Sequence, residues 1–216
     1  MSTQFTNRQW RLPNNENKDK QSNYSMDFDG GSQYVQTSGL TIGNTFTFSC
    51  WLNVDSFALN NQCFLSSPNY YTSGYNGNFI IRLNNSSSIN FYSYNGNGSI
   101  ENISANVPTI STGSWHHFAL TNNGSTAQYY WNGSPLTTTG VNTKTLDNLT
   151  AGLIIGDNIT NNNNPFNGKI DELGIWDTAL TSTQIAEIYN GTGTNTTKDL
   201  STVAGGPVYW NRMGDN

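Results

Sequence analysis

Two adjacent carboxylates, Asp171 and Glu172, stand inside the apolar stretch "KIDELGIW" of a chain in which only 11% of residues are charged. Such a pair has three uses: an acid/base dyad, a metal site, or architecture alone. A retaining glycosidase needs its two carboxyl groups about 5 to 5.5 Å apart and aimed into one cleft. The stretch reads as a β-strand, however, and successive strand side chains point to opposite faces. Asp171 then shares a face with Leu173 and Ile175, while Glu172 lies with Gly174 and Trp176 on the outer face. On this geometry the acids do not converge on one substrate atom, and no complete acid/base set is visible. An inward carboxylate must still be neutralised or hydrogen-bonded, because a bare one is expensive to bury. Calcium, a hard ion that takes oxygen ligands, would do this, and so would the N–H groups of a turn.

The other reactive side chains are few. His116 and His117 are the only histidines. Adjacent on a strand they diverge, so they do not form the i, i+4 pair that holds zinc on a helix. Structural hydrogen bonding is the expected role. No serine sits in a nucleophile elbow and no Gly-rich loop cradles phosphate. Cys50 and Cys63 are too few for a disulfide framework and are expected as free thiols, Cys50 in the core. The segment "SSPNYYTSGYNGN" places Tyr70, Tyr71, Tyr75 and Asn76 in a Gly/Asn loop without alternation to bury them. Rings beside amides suit a sugar, a protein surface, or a loop that packs its own rings.

Composition narrows the classes. The net charge is −5 with no basic cluster, so nucleic-acid binding, which needs Lys and Arg to displace counterions, is not expected. No run of apolar residues reaches the length of a membrane span, and the N-terminal stretch has no signal-peptide core. Aromatics at 12% separate the chain from disordered sequences of similar polarity.

Positioning these residues falls to short strands. "TFTFSCWLNV" alternates, with Phe46, Phe48, Cys50 and Leu52 on one side and Thr47, Ser49, Trp51 and Asn53 on the other. "NFIIRL" and "SINFYSY" flank "NNSS" as a hairpin, and "WHHFAL" returns through "NNGS" into "AQYYWNG". "AGLIIGD" and "KIDELGIW" supply further strands. Connections too short for crossover helices favour an all-β, antiparallel two-sheet sandwich. One short C-terminal helix is expected. Thr181 is its N-cap, Gln184 completes a capping box, Leu180 and Ile185 form a staple, and Gly191 is the stop. Residues 1–22 read as a polar N-terminal arm, 23–191 as the sandwich, and 192–216 as a C-terminal extension.

Five blocks in this order, "YSMDFDGGSQYV", "FTFSCWLNV", "GSWHHFALTNNGSTAQYYWNG", "LIIGD" and "FNGKIDELGIWDTALTSTQIAEIYNG", resemble the laminin-G-like, concanavalin A-like lectin domains. The resemblance implies a jelly-roll sandwich, a frequent calcium ion at one rim, and a role in binding carbohydrate or protein. It brings "FDG" beside the last strand, which implies a calcium site of Asp29, the Gly30 main-chain oxygen and Asp171. The ending "GGPVYWNRMGDN" looks like the opening of such a domain in tandem phage and bacterial proteins. It therefore reads either as the start of a further domain or as a strand of this one, with the first preferred. The expected function is a non-catalytic binding or adhesion module for glycans on a phage or virus particle. Its rival is an architectural capsid or tail protein with subunit contacts, including homo-oligomers. Without a signal peptide, synthesis is expected in the cytoplasm.

Overall fold

The computed structural model describes residues 24–68, 78–94, 100–139, 146, 149, 151–159, 164–191 and 198–213. Two antiparallel sheets pack face to face. Sheet A runs in the order β1 (Met26–Asp29), β13 (Asn167–Trp176), β3 (Thr45–Val54), β8 (Trp115–Asn123), β9 (Ala127–Trp131), β10 (Ser134–Pro135), and β14 (Tyr209–Asn211) also pairs with β13. Sheet B runs β11 (Thr138–Thr139), β7 (Ile100–Asn106), β6 (Ser88–Tyr94), β5 (Phe79–Asn85), β4 (Gln62–Ser66), β12 (Ile154–Ile155), β2 (Val35–Gln36). The all-β jelly-roll expectation holds.

Alternation builds the core. Phe46, Phe48, Cys50, Leu52 and Val54 of β3 face Phe79, Ile81 and Leu83 of β5 and Ile89 and Phe91 of β6 in one buried cluster. Phe48 stacks on Phe79 at 5.2 Å and Phe79 on Phe91 at 5.7 Å between ring centroids. Each such ring contributes about 1.5–3 kcal/mol by leaving water, and each aromatic pair about 0.5–1.5 kcal/mol more. Tyr129 of β9 ties the sheets together, its hydroxyl donating to the Ile103 carbonyl at 3.0 Å.

The outer face of sheet A is also buried. Helix α1 (Ser182–Asn190) lies there, capped by Thr181 and Gln184 through the reciprocal bonds of a capping box and ended at Gly191. Leu180, Ile185 and Ile188 join Ala119, Tyr130, Trp176, Leu200 and Val203 in a second cluster. Tyr189 stacks on Trp51 at 5.7 Å and leaves no room for a side chain at Gly133, where an added Cβ would stand 2.8 Å from its ring. Asn132 and Gly133 both take positive φ, 49° and 75°, as the tight Asn-Gly turn after β9 requires. Two polar side chains under the helix find partners there: Thr47 donates to the Thr178 carbonyl and accepts from the Leu180 N–H, and the Trp176 indole donates to the Val203 carbonyl.

The C-terminal extension adds to this sandwich. β14 pairs with residues 173–175 of β13, while β1 pairs with residues 167–170 on the same edge. Two strands far apart in sequence thus lie end to end along one strand. Between them β13 is irregular, with a register shift between Asp171 and Gly174 and Glu172 at φ 50°.

Candidate functional site

This irregularity answers the question raised by the acid pair, and corrects the alternation expected of it. Asp171 lies opposite Trp51, and directly opposed residues of an antiparallel pair share a face. Asp171 is therefore on the helix-covered side of sheet A, not on the core side with Leu173 and Ile175, because the extra residue shifts parity after position 171. Its Oδ1 accepts the Glu172 N–H at 2.8 Å. Glu172 is not an open outer-face residue either. Its carboxylate accepts the Trp210 indole N–H at 2.6 Å and the Arg212 Nε–H at 3.4 Å. At 7% and 3% exposure neither acid is presented to a ligand.

The three residues implied for calcium are not brought together. Asp29 is opposite Asn167, four residues before Asp171 on β13, and four strand residues span about 13 Å. The β13 side chain that reaches this turn is that of Asn167, against which a Cβ at Gly30 would stand 2.8 Å from the amide nitrogen. Asp29 itself accepts the Gly31 N–H at 2.7 Å. Among the described residues no three His, Cys, Asp or Glu side chains gather as a metal site.

The histidines are structural. His117 is fully buried, its Nε2 2.8 Å from the Ser49 hydroxyl and its ring packed against both Trp51 and Tyr189. Burial lowers its pKa to about 3. His116 stacks on Trp131 and its Nδ1 lies 3.3 Å from the Asn132 amide nitrogen; partial burial lowers its pKa as well. Cys50 and Cys63 are free and buried, in different sheets. Tyr70, Tyr71, Tyr75 and Asn76, between β4 and β5, lie outside the described residues.

A different surface carries a concentration of binding chemistry. On the outer face of sheet B the side chains that alternate with the core residues come into register: Ile80 opposite Tyr92, Tyr92 opposite Asn102, Arg82 opposite Asn90, and Asn90 opposite Ser104. Arg82 donates from Nε to the Asn84 Oδ1 at 3.2 Å and from Nη2 to the Tyr92 hydroxyl at 3.1 Å, with its guanidinium 4.6 Å from the Tyr92 ring centre. The Asn84 amide nitrogen donates to Asn90 Oδ1, and Asn90 Nδ2 donates to Asn102 Oδ1 at 2.9 Å. A small apolar group, Cys63 and Ile80 with Tyr92 and Tyr94 against it, floors one end. Beside it the Asp157 carbonyl accepts from the Cys63 thiol and the Ser66 hydroxyl. The Asp157 carboxylate takes the Asn158 N–H, and burial raises its pKa. Among the described residues no helix or strand covers this face.

The order of the blocks, the two sheets and the closing helix agree with one family model, that of the concanavalin A-like lectin/glucanases superfamily (Laminin_G_3), which matches residues 29–186. The chain belongs to this superfamily. No curated protein sequence matches it. Solved structures of similar fold include the heptameric SAP-like pentraxin of Limulus polyphemus. That chain is 19% identical, with a TM-score of 0.58, covering 87% of this chain and 91% of the other. Domain 4 of AbnA, a GH43 extracellular arabinanase of Geobacillus stearothermophilus solved with arabinotriose, is 20% identical, with a TM-score of 0.56 and coverage of 76% and 75%. Domains LG4-5 of the mouse laminin α1 chain are 15% identical, with a TM-score of 0.52 and coverage of 73% and 44%. At such identities the likeness is one of fold.

As a concanavalin A-like domain, this one shows what sequence reasoning passed over. Arg82, Asn84, Asn90, Tyr92, Tyr94 and Asn102 were signalled by the polar half of the alternation in "NFIIRLNN", "SINFYSY" and "IENIS", where Arg, Asn and Tyr take the outward positions. What the pattern lacked was register, since only pairing across three strands shows that these positions meet.

Proposed function

We propose that the protein is a non-catalytic glycan-binding module that receives its ligand on the outer face of sheet B. The observation that carries this reading is the difference between the two outer faces. The chain's own helix and C-terminal segment cover the centre of the outer face of sheet A, whereas among the described residues no helix or strand lies over Arg82, Asn84 and Tyr92, which are half-buried, or over Asn102, which is exposed. Sugars present apolar C–H faces and hydroxyls together, and half-buried rings bordered by fixed amides match both. The arabinotriose held by the Geobacillus domain supports the reading by analogy of fold. Both members of the acid pair are committed to internal partners, which argues against hydrolysis at that strand.

An oligosaccharide array followed by calorimetry tests the proposal. Tyr92→Ala is expected to weaken the best ligand at least tenfold with an unchanged far-ultraviolet spectrum. Trp115→Ala, on exposed sheet A surface, should leave affinity as it is. Absence of binding at millimolar ligand, or full affinity in the Tyr92 variant, overturns it. Calcium enters the proposal at the β1 turn, with Asp29 and the Gly30 carbonyl joined by Asn167. EDTA should lower Tm and calcium restore it, since an ion bound only to the folded state stabilises it. Asp29→Asn should abolish the response and Asp171→Asn should not. The setting we propose, a phage or virus particle, draws on the tandem-protein likeness of "YWNRMGD" and is tested by mass spectrometry of purified particles.

A further inference from the structure

Among the described residues no carboxylate pairs with Arg82. Among the described residues its guanidinium meets only the Asn84 carbonyl oxygen, the Tyr92 hydroxyl and the Tyr92 ring, and no ion pair includes it. It stands half-buried on β5, in a protein whose net charge is −5. Asp157, the acid beside this face, turns its carboxylate to the Asn158 N–H.

The cation also sets the direction of the amides. A guanidinium only donates, so the Asn84 oxygen must face Arg82 and its NH2 must point onward. That NH2 meets the Asn90 oxygen, and the Asn90 NH2 meets the Asn102 oxygen. The row ends on the NH2 group of exposed Asn102. From β5 to β7, about 10 Å at ordinary strand spacing, each amide oxygen accepts an N–H from its neighbour. Donors are left at both ends, the remaining guanidinium N–H groups and the Asn102 amide. A surface whose end groups are donors, one of them charged, complements clustered anionic oxygens, which accept charge-assisted bonds that a neutral sugar hydroxyl does not match in strength.

We propose that this face selects anionic glycans, with Arg82 taking a carboxylate or sulfate and the Asn84–Asn90–Asn102 row orienting the adjoining sugar. The inference rests on the glycan-binding reading and adds the class of ligand. The two anion sources share one chemistry and are separated by the probes. Uronate-containing oligosaccharides are compared with their carboxyl-reduced forms, and sulfated ones with their desulfated forms, by calorimetry at two salt concentrations.

A charge-assisted bond predicts about a tenfold to hundredfold preference for the acidic member of one pair, falling as salt rises. Arg82→Met keeps the aliphatic stem and should remove the preference, bringing the acidic ligand down to the level of the neutral one; Arg82→Lys should retain part of it. Should Arg82→Met fail to fold, the paired glycans and the salt series decide the matter on the native protein alone. Equal affinity for acidic and neutral partners overturns the selectivity and leaves the glycan reading standing. Binding of no oligosaccharide of either kind overturns both.

Discussion

At the scale of the residue, His117 shows how a polar side chain on a strand becomes a liability in acid. It lies under Trp51 and Tyr189 with one ring nitrogen at the Ser49 hydroxyl, and protonating it would bury a charge with no carboxylate partner among the described residues. A folded pKa of about 3 against an ordinary 6.5 means that its contribution is complete above pH 6.5 and is lost as the pH falls toward 3. Between pH 6.5 and 5, above the range of ordinary carboxylates, the loss is about 2 kcal/mol. Asp157 works in the opposite sense, since its raised pKa makes its contribution disappear as the pH rises. Urea midpoints across this window should fall with acid in the native protein. His117→Gln should cost stability at pH 7 and flatten the dependence; an unchanged slope would remove His117 as its source.

At the scale of the element, β13 is held on one edge by two strands from opposite ends of the chain, and its break is where they meet. Glu172 takes positive φ at this break and turns its carboxylate to Trp210 and Arg212 of the C-terminal segment. Glu172 thereby ties β13 to the C-terminal segment. Glu172→Ala would remove the acceptor of the indole N–H and one acceptor of the guanidinium, and should destabilise by about 2–3 kcal/mol. Glu172→Gln keeps an acceptor for Trp210 and should cost less. Denaturant unfolding read at equilibrium checks both, and equal midpoints for Glu172→Ala and the native protein would show that β14 contributes nothing through this contact. Helix α1 is the opposite case. Its cap, box, staple and stop lie within twelve residues, so its boundaries were readable from "LTSTQIAEIYNG" alone.

At the scale of the whole molecule, period-two alternation in β3, β5, β6 and β8 determined the sandwich, because a face of Phe, Ile and Leu has no stable place except against another such face. The same pattern marks a polar side on every strand and says nothing of what covers it. On sheet A that side, with Thr47, Ser49 and His117, is covered by a helix and a segment that come more than sixty residues later in the chain. On sheet B, no helix or strand among the described residues lies over Arg82 and Tyr92, which stay half-buried. Nor could alternation foresee the single extra residue that put Asp171 on the opposite face from Leu173 and Ile175 and set Glu172 against Trp210, or the β1 register that places Asn167 rather than Asp171 beside Asp29. The sequence by itself determined strands, hairpins, helix caps and the superfamily, all encoded by residues near one another in the chain. Register, cover and the bulge were decided only in the tertiary structure, because each depends on which distant backbone supplies the next hydrogen bond.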